Sequence, residues 1–380
     1  MIYFDNSATT KPYKEVIETY GKVSEVFFGN PSSLHGLGKD AMELLDQGRD
    51  QVARLLKVSK TEIVFTSGGT EGNNLAIKGT VFEHENRGKH LITTSVEHSS
   101  NYETFLQLEK IGFDVTYLNV NEVGEISLNE LKNAIRSDTI LVSIIHVNNE
   151  LGSIQPIKEV GKFLNQYPKI YFHVDHVQGM TKVPLSFKDC HIDLCTISGH
   201  KFHATKGTGV LYIRQGVQLS PLFSGGAQEY NLRAGTENIP GIVAMAKALR
   251  ISMGQYVEKK SHLKKLYDHL MRGLNQIDGV VINSPTEGGA PHIINFSILK
   301  VKPEVVVQSL GEKEMYVSTK SACSSKLAKP SRVLMAANIG SERAETAIRV
   351  SFSFENTIEE VTEFMTELKQ IISKLKEVMR

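Results

Sequence analysis

Short apolar segments rich in β-branched residues alternate with longer amphipathic segments over the first two thirds of the chain. The short segments are apolar almost throughout, which is typical of strands in a sheet covered on both faces. We predict strands over residues 62–66, 90–96, 114–120, 140–146, 170–174, 192–197 and 209–213. Helices are predicted over 39–56, 72–85, 101–110 and 157–166. This repeated order predicts an α/β fold with a doubly wound sheet.

The sequence changes character after about residue 240. One or two long helices are predicted over 240–272, with Pro240 in a first helical turn. Short strands are predicted near 292–298 and 347–354, and an amphipathic helix over 358–379. This part of the chain therefore predicts a smaller α+β unit.

Composition excludes several classes of protein. The 380 residues include 43 Lys and Arg against 42 Asp and Glu, so no charge excess favours nucleic acid or an anionic membrane. No apolar run approaches the roughly 18 residues that cross a bilayer, and the N-terminus does not resemble a signal peptide. Three cysteines cannot form a disulfide framework. These features predict a cytoplasmic protein without a direct nucleic-acid or membrane partner.

Polar residues follow five of the predicted strands, where ligands bind in open α/β sheets. A glycine-rich turn, SGGTEGNN, occupies 67–74 and resembles neither a dinucleotide fingerprint nor a Walker loop. The other segments contribute His98, then Asn149, then Asp175 with Gln178, and finally the sequence SGHK that ends at Lys201. We expect these groups to meet at one edge of the sheet.

Together these residue types favour pyridoxal phosphate as a cofactor. A partly desolvated lysine such as Lys201 can form a Schiff base, and Asp175 supplies the carboxylate that a protonated pyridine nitrogen requires. The glycine-rich turn and the helix after it would bind a phosphate. His98 would stack on the ring. Taken singly, each has a structural alternative, such as a salt bridge for Asp175 or a hydrogen-bonded histidine for His98.

A metal site is the alternative that the histidines raise. His173, His176, His200 and His203 lie near Asp175 in sequence, and imidazole and carboxylate are zinc ligands. However, the chain has no HExxH motif, and the pair Cys190 and Cys195 lacks a second pair. Cys195 is predicted to be a small core residue. We therefore predict no metal site.

Cys323 lies in a polar segment of small residues, 317–332, which is predicted to be a loop. Lys320, Lys326 and Lys329 flank it and would favour the thiolate form. An exposed cysteine without a role is a liability, so a nucleophilic or sulfur-carrying thiol is the preferred interpretation.

These segments together resemble the NifS/IscS-type cysteine desulfurases, pyridoxal-phosphate enzymes of the class-V aminotransferase family and of aminotransferase fold type I. The resemblance runs nearly end to end. Its motifs are YFDNSATT at 3–10, FGNPSSLHGLG at 28–38, FTSGGTEGNN at 65–74, VNNELGSIQPI at 147–157, HVDHVQG at 173–179, SGHK at 198–201, RAGTEN at 233–238, SACSS at 321–325 and RVSFSFENT at 349–357. His176 departs from the family, since alanine usually follows the aspartate, and it would lie close to the cofactor ring opposite His98.

The resemblance implies a role for each cofactor-binding position. Lys201 would bind pyridoxal phosphate covalently, Asp175 would pair with its ring nitrogen, and Gln178 would donate to its phenolic oxygen. His98 would stack on the ring and transfer protons. The residues implied to hold the phosphate are Gly69, Thr70, Ser198 and His200.

The resemblance also implies how substrate and partners bind. Asn149 would contact cofactor and substrate, Arg349 would bind the carboxylate of L-cysteine as a bidentate fork, and Cys323 would be the nucleophile that becomes a persulfide. Thr236 would reach the phosphate of the other subunit, which implies a homodimer with shared active sites. Cys323 is also a candidate transient ligand of an iron–sulfur cluster.

The implied architecture is a large domain over 13–255, with a mostly parallel seven-stranded sheet, and a small α+β domain over 1–12 and 256–380. The implied activity is that of a sulfurtransferase, which passes sulfur to an acceptor protein, either an iron–sulfur scaffold or a tRNA-thiolation enzyme. Two alternatives remain. Another enzyme of this fold, such as a selenocysteine lyase or an aminotransferase, would also use Lys201 and Asp175, and a non-catalytic scaffold would bind no cofactor.

Overall fold

The computed structural model describes residues 1–319 and 330–378, without the side chains of residues 260 and 378. The helices in chain order are α1 Lys14–Val26, α2 Gly36–Leu56, α3 Gly69–His84, α4 Ser99–Lys110, α5 Leu128–Ala134, α6 Ile157–Leu164, α7 Ile239–Leu274, α8 Pro303–Gly311, α9 Arg332–Ala336, α10 Ser341–Glu345 and α11 Ile358–Val378. The strands are β1 Ile2–Tyr3, β2 Ile63–Thr66, β3 His90–Thr94, β4 Asp114–Leu118, β5 Thr139–Ile145, β6 Tyr171–Asp175, β7 Leu194–Ser198, β8 Gly209–Ile213, β9 Val280–Ile282, β10 Ile293–Ile298, β11 Met315–Tyr316 and β12 Ala347–Ser351.

The seven predicted strands form one sheet in the order β2-β8-β7-β6-β5-β3-β4. Every neighbouring pair is parallel except those of β8, which runs antiparallel to both β2 and β7. β3, β5, β7 and β8 are buried along their whole length, as expected for strands covered on both faces. The predicted mostly parallel α/β fold is therefore confirmed.

Two smaller sheets follow. β12, β10 and β9 form an antiparallel sheet, and β1 pairs in parallel with β11. An isolated bridge joins Asp5 to Ser351, next to the end of β12. The N-terminal segment thus packs with the last third of the chain, because its backbone continues the hydrogen bonding of strands more than 300 residues away.

The long α7 helix connects two apolar cores. Its 36 residues follow the N-cap Asn238, whose side chain accepts a hydrogen bond from the Gly241 amide. Pro240 occupies the first turn, as predicted. Ile239 to Leu249 pack in the core of the large sheet. Leu263 to Leu274 pack in a second core with Phe4, β10, β12 and α11. The predicted domain boundary at 255 lies within this helix, and the division into two domains stays a prediction.

A buried ion pair fixes the backbone that precedes RAGTEN. Arg49 of α2 donates to both carboxylate oxygens of Glu229, at 2.7 and 2.6 Å, and also to the Ile63 carbonyl. Glu229 accepts a further bond from the Phe65 amide at 2.8 Å. Glu229 and the two residues after it all have positive φ. Residues other than glycine rarely adopt this conformation unless tertiary contacts stabilise it.

None of the helices within 1–319 and 330–378 is both long enough and apolar enough to span a lipid bilayer.

Replacing Glu229 by Gln should destabilise the fold, because it leaves the buried Arg49 guanidinium without a counter-charge. We expect a loss of about 3 kcal/mol in the free energy of unfolding, measured by urea denaturation. The control is Glu18→Gln, which removes an exposed ion pair between Lys14 and Glu18 and should leave the denaturation midpoint unchanged. Equal midpoints for the two variants would contradict the structural role of the buried pair.

Candidate active site

A cavity of about 160 Å³ lies at the carboxyl ends of β5, β6 and β7, beside the N-terminus of α3. Among the described residues, every site residue predicted from the sequence lines it, apart from Thr236. These lining residues are Gly69, Thr70, His98, Asn149, Asp175, Gln178, Ser198, His200, Lys201 and Arg349. Residues from well-separated parts of the sequence therefore meet at the predicted edge of the sheet.

Lys201 ends a short 3₁₀ turn that directly follows β7. Its Nζ donates hydrogen bonds to the backbone carbonyls of Ser7, at 2.6 Å, and Ala8, at 2.8 Å. Gln178 Nε2 donates to the same Ser7 carbonyl at 2.9 Å. The N-terminal segment thus forms one wall of the cavity, and the amine and the amide converge on it.

Asp175 is the last residue of β6 and is 2% exposed. One carboxylate oxygen accepts from Asn73 Nδ2 at 2.8 Å, and the other accepts from the Val177 amide at 3.0 Å. Burial raises the pKa of Asp175, while these two donors and the charge of Lys201 oppose the rise. The carboxylate is therefore held in a fixed orientation, and a cationic partner would stabilise its charged form.

His98 follows β3 and is the N-cap of α4. Its Nδ1 lies 2.8 Å from the Ser100 hydroxyl and accepts from the Ser100 amide at 3.2 Å. Burial lowers the pKa of His98 to about 4, and the charges of Lys201, Arg332 and Arg349 act in the same direction. The imidazole is therefore neutral at pH 7, in the form that can stack on a ring and accept a proton.

The glycine-rich turn brings backbone amides to the part of the cavity beside α3. Gly68 has φ of +150°, which favours glycine, and it is the N-cap of α3. Gly69 and Thr70 of the first helical turn line the cavity together with Ser198. Helix N-termini attract anions because their first amides point outward without intrahelical acceptors. This end of the cavity is suited to a phosphate.

His200 borders the same end. Its Nδ1 lies 3.1 Å from the Thr9 hydroxyl. Burial lowers its pKa to about 3, and the charge of Lys201 contributes. His200 is thus a neutral hydrogen-bonding group at neutral pH.

Arg349 of β12 brings the small antiparallel sheet to the cavity. It is 1% exposed, and it donates to the Asn149 carbonyl at 2.8 Å and to Asp5 Oδ1 at 2.9 Å. The guanidinium therefore joins three distant parts of the chain at the wall of the cavity.

Five buried polar atoms of cavity-lining residues have no hydrogen-bond partner within the part of the chain that the structure describes. They are Ser7 Oγ, Asn73 Oδ1, Asn149 Oδ1, Ser198 Oγ and Arg349 Nε. Buried polar atoms are normally satisfied, so their grouping indicates a polar ligand. Together with the amine of Lys201 and the carboxylate of Asp175, this set fits a phosphorylated pyridine aldehyde such as pyridoxal phosphate.

Of the predicted site residues that the structure describes, Thr236 does not line this cavity. Thr236 is exposed and lines a separate surface depression with Arg233 and Gly235. Within its own chain it does not join the Lys201 cavity. Cys323 lies outside the described residues.

His176 does not lie where the sequence comparison placed it. The turn that follows β6 brings Val177 and Gln178 to the cavity, whereas His176 is buried and does not line it. His176 instead lies against His146, with their Nδ1 atoms 2.8 Å apart. Gly179 permits this pairing, since a Cβ there would come within 2.7 Å of both rings.

Reasoning from the residues did not identify Ser7, Ala8, Asn73 or Ser100 as part of the site. The polar run NSATT after β1 and the paired asparagines of the glycine-rich turn were the available indications. The contacts of Lys201 with Ser7 and Ala8 use backbone carbonyl groups, which any residue type could supply, so the sequence carries no signal for them.

The chain belongs to the class-V aminotransferase family. The family described as Aminotransferase class-V matches residues 2–364. A "NifS/IcsS protein homolog" from Lactobacillus delbrueckii subsp. bulgaricus is 46% identical over 98% of this chain and 97% of its own length. A protein named "Cysteine desulfurase IscS" from Dictyoglomus turgidum is 42% identical over 99% of this chain and 96% of its own.

Solved structures agree with the sequence matches. A structure titled "NIFS-LIKE PROTEIN" superposes with a TM-score of 0.93 at 37% identity and covers 98% of this chain and 99% of its own. The resemblance to NifS/IscS-type cysteine desulfurases is therefore confirmed along the whole chain.

The neutral state of His98 can be tested in the protein without added cofactor. We expect its imidazole to titrate with a midpoint of about 4 in a nuclear magnetic resonance titration of histidine-labelled protein. Replacing Lys201 by Met should raise the midpoint, since one of the nearby positive charges is removed. A midpoint near the ordinary value of about 6.5 would contradict the burial and charge environment described for His98.

Proposed function

We propose that the protein is a pyridoxal-phosphate-dependent cysteine desulfurase. It removes sulfur from L-cysteine, releases L-alanine and leaves a persulfide on Cys323. The observation that carries this proposal is the convergence of Lys201, Asp175, His98 and Arg349 on one cavity, in a chain whose relatives are named cysteine desulfurases.

The family resemblance and the chemistry of the lining groups together support an assignment of the cofactor contacts. Lys201 would bond to the cofactor carbonyl, and Asp175 would pair with the pyridine nitrogen. Gln178 would donate to the phenolic oxygen, and His98 would stack on the ring. Gly69, Thr70, Ser198 and His200 would hold the phosphate at the N-terminus of α3. When bound, the cofactor supplies an electron sink that stabilises negative charge on the substrate carbon.

Arg349 and Asn149 are proposed to bind the substrate carboxylate and amine. The Nε of Arg349 and the Oδ1 of Asn149 are among the cavity atoms that lack a partner within the described residues. Arg349 would complete a bidentate contact with a terminal nitrogen that in this structure donates to Asp5 or to the Asn149 backbone. Lys201 and the neutral His98 would move protons to and from the substrate.

The described residues on either side of the segment that contains Cys323 contact residues that line the cavity or adjoin its lining. Ser318 exchanges two backbone hydrogen bonds with Arg349, at 3.2 and 2.7 Å. On the other side, Ser331 Oγ donates to Glu150, the neighbour of Asn149, at 2.6 Å. Four peptide units separate residue 319 from Cys323, a distance of at most about 14 Å. This anchoring supports Cys323 as the sulfur acceptor.

The overall reaction is balanced without an external oxidant. The carbon–sulfur bond of L-cysteine breaks, and a sulfur–sulfur bond forms to the Cys323 thiolate. The substrate carbon gains a proton and leaves as L-alanine, while Cys323 retains the extra sulfur as a persulfide. A protein thiol that accepts the persulfide sulfur would regenerate Cys323.

Two further features belong to the same proposal. The protein acts as a cytoplasmic homodimer in which Thr236 reaches the cofactor phosphate of the other subunit. The exposed position of Thr236, together with exposed apolar side chains such as Phe28, Leu34 and Phe223, supports such an interface. The sulfur acceptor is a protein of an iron–sulfur assembly or tRNA-thiolation pathway.

Replacing Cys323 by Ala should separate cofactor binding from sulfur removal. We expect the visible absorbance of lysine-linked cofactor to remain, and the release of alanine and sulfide from L-cysteine to fall at least about a hundredfold, since the nucleophile is lost. In the parent protein, mass spectrometry should find a labile adduct of about 32 Da, one sulfur atom, on Cys323.

The matched control is Cys190→Ala, which removes a buried thiol distant in sequence and should leave sulfur release intact. Undiminished sulfide release from the Cys323→Ala protein would overturn the assignment in favour of another enzyme of this fold. A protein that takes up no cofactor would favour a scaffold.

The shared site predicts that protomers complement one another. Thr236→Glu should weaken cofactor binding at least about tenfold, because a carboxylate repels the phosphate. Lys201→Ala should abolish the covalent link. In a mixed dimer of these two variants, the protomer that retains Lys201 receives an intact Thr236 from its partner, so tight covalent binding should return at one site per dimer.

The measurement is cofactor titration of differently tagged, co-expressed protomers. The control is the Thr236→Glu homodimer purified in the same way. If the mixed dimer binds cofactor as weakly as that homodimer, Thr236 acts within its own chain or has no contact with the phosphate.

A further inference from the structure

A second lysine lies directly against the backbone of Lys201. Lys182 is 6% exposed, and its Nζ donates to the Lys201 backbone carbonyl at 2.8 Å. The turn that carries it is fixed by hydrogen bonds from the Lys182 and Val183 amides to the Gly179 carbonyl. Lys182 is therefore a buried amine in a defined position, and the function proposed above assigns it no role.

Four basic groups interact electrostatically with Lys182. They are Lys201, His176, His203 and His292. Burial and, to a smaller extent, the charge of Lys201 lower the pKa of Lys182 to about 7. The two lysines thus repel each other when both are protonated, in an environment where water screens the repulsion poorly.

The histidines around Lys182 do not add to the positive charge at neutral pH. Burial lowers the pKa of both His146 and His203 to about 4 and takes those of His176 and His292 well below the ordinary value. The Nδ1 atoms of His146 and His176 share one hydrogen bond, which requires only one proton between them. Of these basic groups, Lys182 and Lys201 are therefore the ones that can carry a positive charge at neutral pH.

We propose that Lys182 is a positioning residue that holds the Lys201 backbone and, by its charge, favours the unprotonated amine of Lys201. An amine must be unprotonated both to bond to a carbonyl carbon and to accept a proton from a substrate. A neighbouring cation is one of the ways in which proteins achieve this for lysine. The inference rests on the proposed function, because it concerns the same lysine and the same cofactor.

The charge effect has a defined pH range. Lys182 is protonated below about pH 7, and there it disfavours a second positive charge at Lys201. Above that pH, Lys182 loses its proton and the repulsion fades. Removing the charge should therefore shift the protonation of the Lys201–cofactor link to higher pH, whereas loss of the hydrogen bond alone should not.

Three substitutions separate the charge from the hydrogen bond. Lys182→Arg keeps both the charge and a donor, Lys182→Gln keeps a donor without the charge, and Lys182→Met keeps neither. Each protein is saturated with pyridoxal phosphate, and the visible band of the lysine-linked cofactor is followed from about pH 5 to 9. The control is Lys158→Met, which neutralises an exposed lysine of α6.

We expect the midpoint of the band to rise by about 0.5 to 1 pH unit in both the Gln and Met variants, and to stay within about 0.2 unit in the Arg and Lys158→Met proteins. At pH 6.5, the cofactor-free Gln and Met variants should take up pyridoxal phosphate about threefold more slowly, because more of Lys201 is protonated. Melting temperature and gel filtration establish folding, and the Gln–Arg comparison decides the question if the Met variant does not fold.

Gln and Met variants that titrate like the parent would overturn the role of the charge. So would an Arg variant that shifts as far as the Gln variant. A parent protein that shows no visible band at any pH refutes the proposed function itself, and with it this inference. The two failures are therefore distinguished by the parent protein alone.

Discussion

The parallel register of β5, β6 and β7 determines where the active-site groups meet. Ile145 pairs with Asp175, which pairs in turn with Thr196, so the carboxyl ends of the three strands lie side by side. Segments that leave these strands must begin at the same edge, and they carry Asn149, Gln178 and Lys201. A shift of one residue in any pairing would turn the affected side chains to the opposite face. The buried side chains of Ser143, His173 and Thr196 hydrogen-bond across the three strands, at 2.8 and 3.0 Å, and such a shift would break these bonds.

The N-terminal segment completes that site from a distance. Its backbone pairs with β11, its Phe4 packs against Phe352 and Phe364 in the second core, and its Ser7 amide donates to Ser351 Oγ. The same few residues accept hydrogen bonds from Lys201 and Gln178. The cavity therefore depends on the folding of the chain's last third, although most of its chemical groups belong to the first two thirds.

The sequence predicted the large sheet well because its strands are apolar on both faces. The ends of the strands were predicted less accurately. β3 ends at Thr94 rather than at residue 96, because the side chain of Glu97 accepts hydrogen bonds from the side chains of Thr94 and Asn101. α1 was not predicted, because it buries only Val16 and Val23. The site residues at the edge of the sheet were predicted because they follow strands in the sequence. The walls formed by Ser7 and by the pairing of Arg349 with Asp5 depend on contacts between distant segments, which no local pattern records.

The α7 helix also has a mechanical consequence. At about 1.5 Å per residue its 36 residues extend for roughly 54 Å, and the helix buries one end in each apolar core. A continuous helix resists bending because bending lengthens its backbone hydrogen bonds on one side. α7 therefore opposes bending between the large sheet and the small antiparallel sheet that carries Arg349.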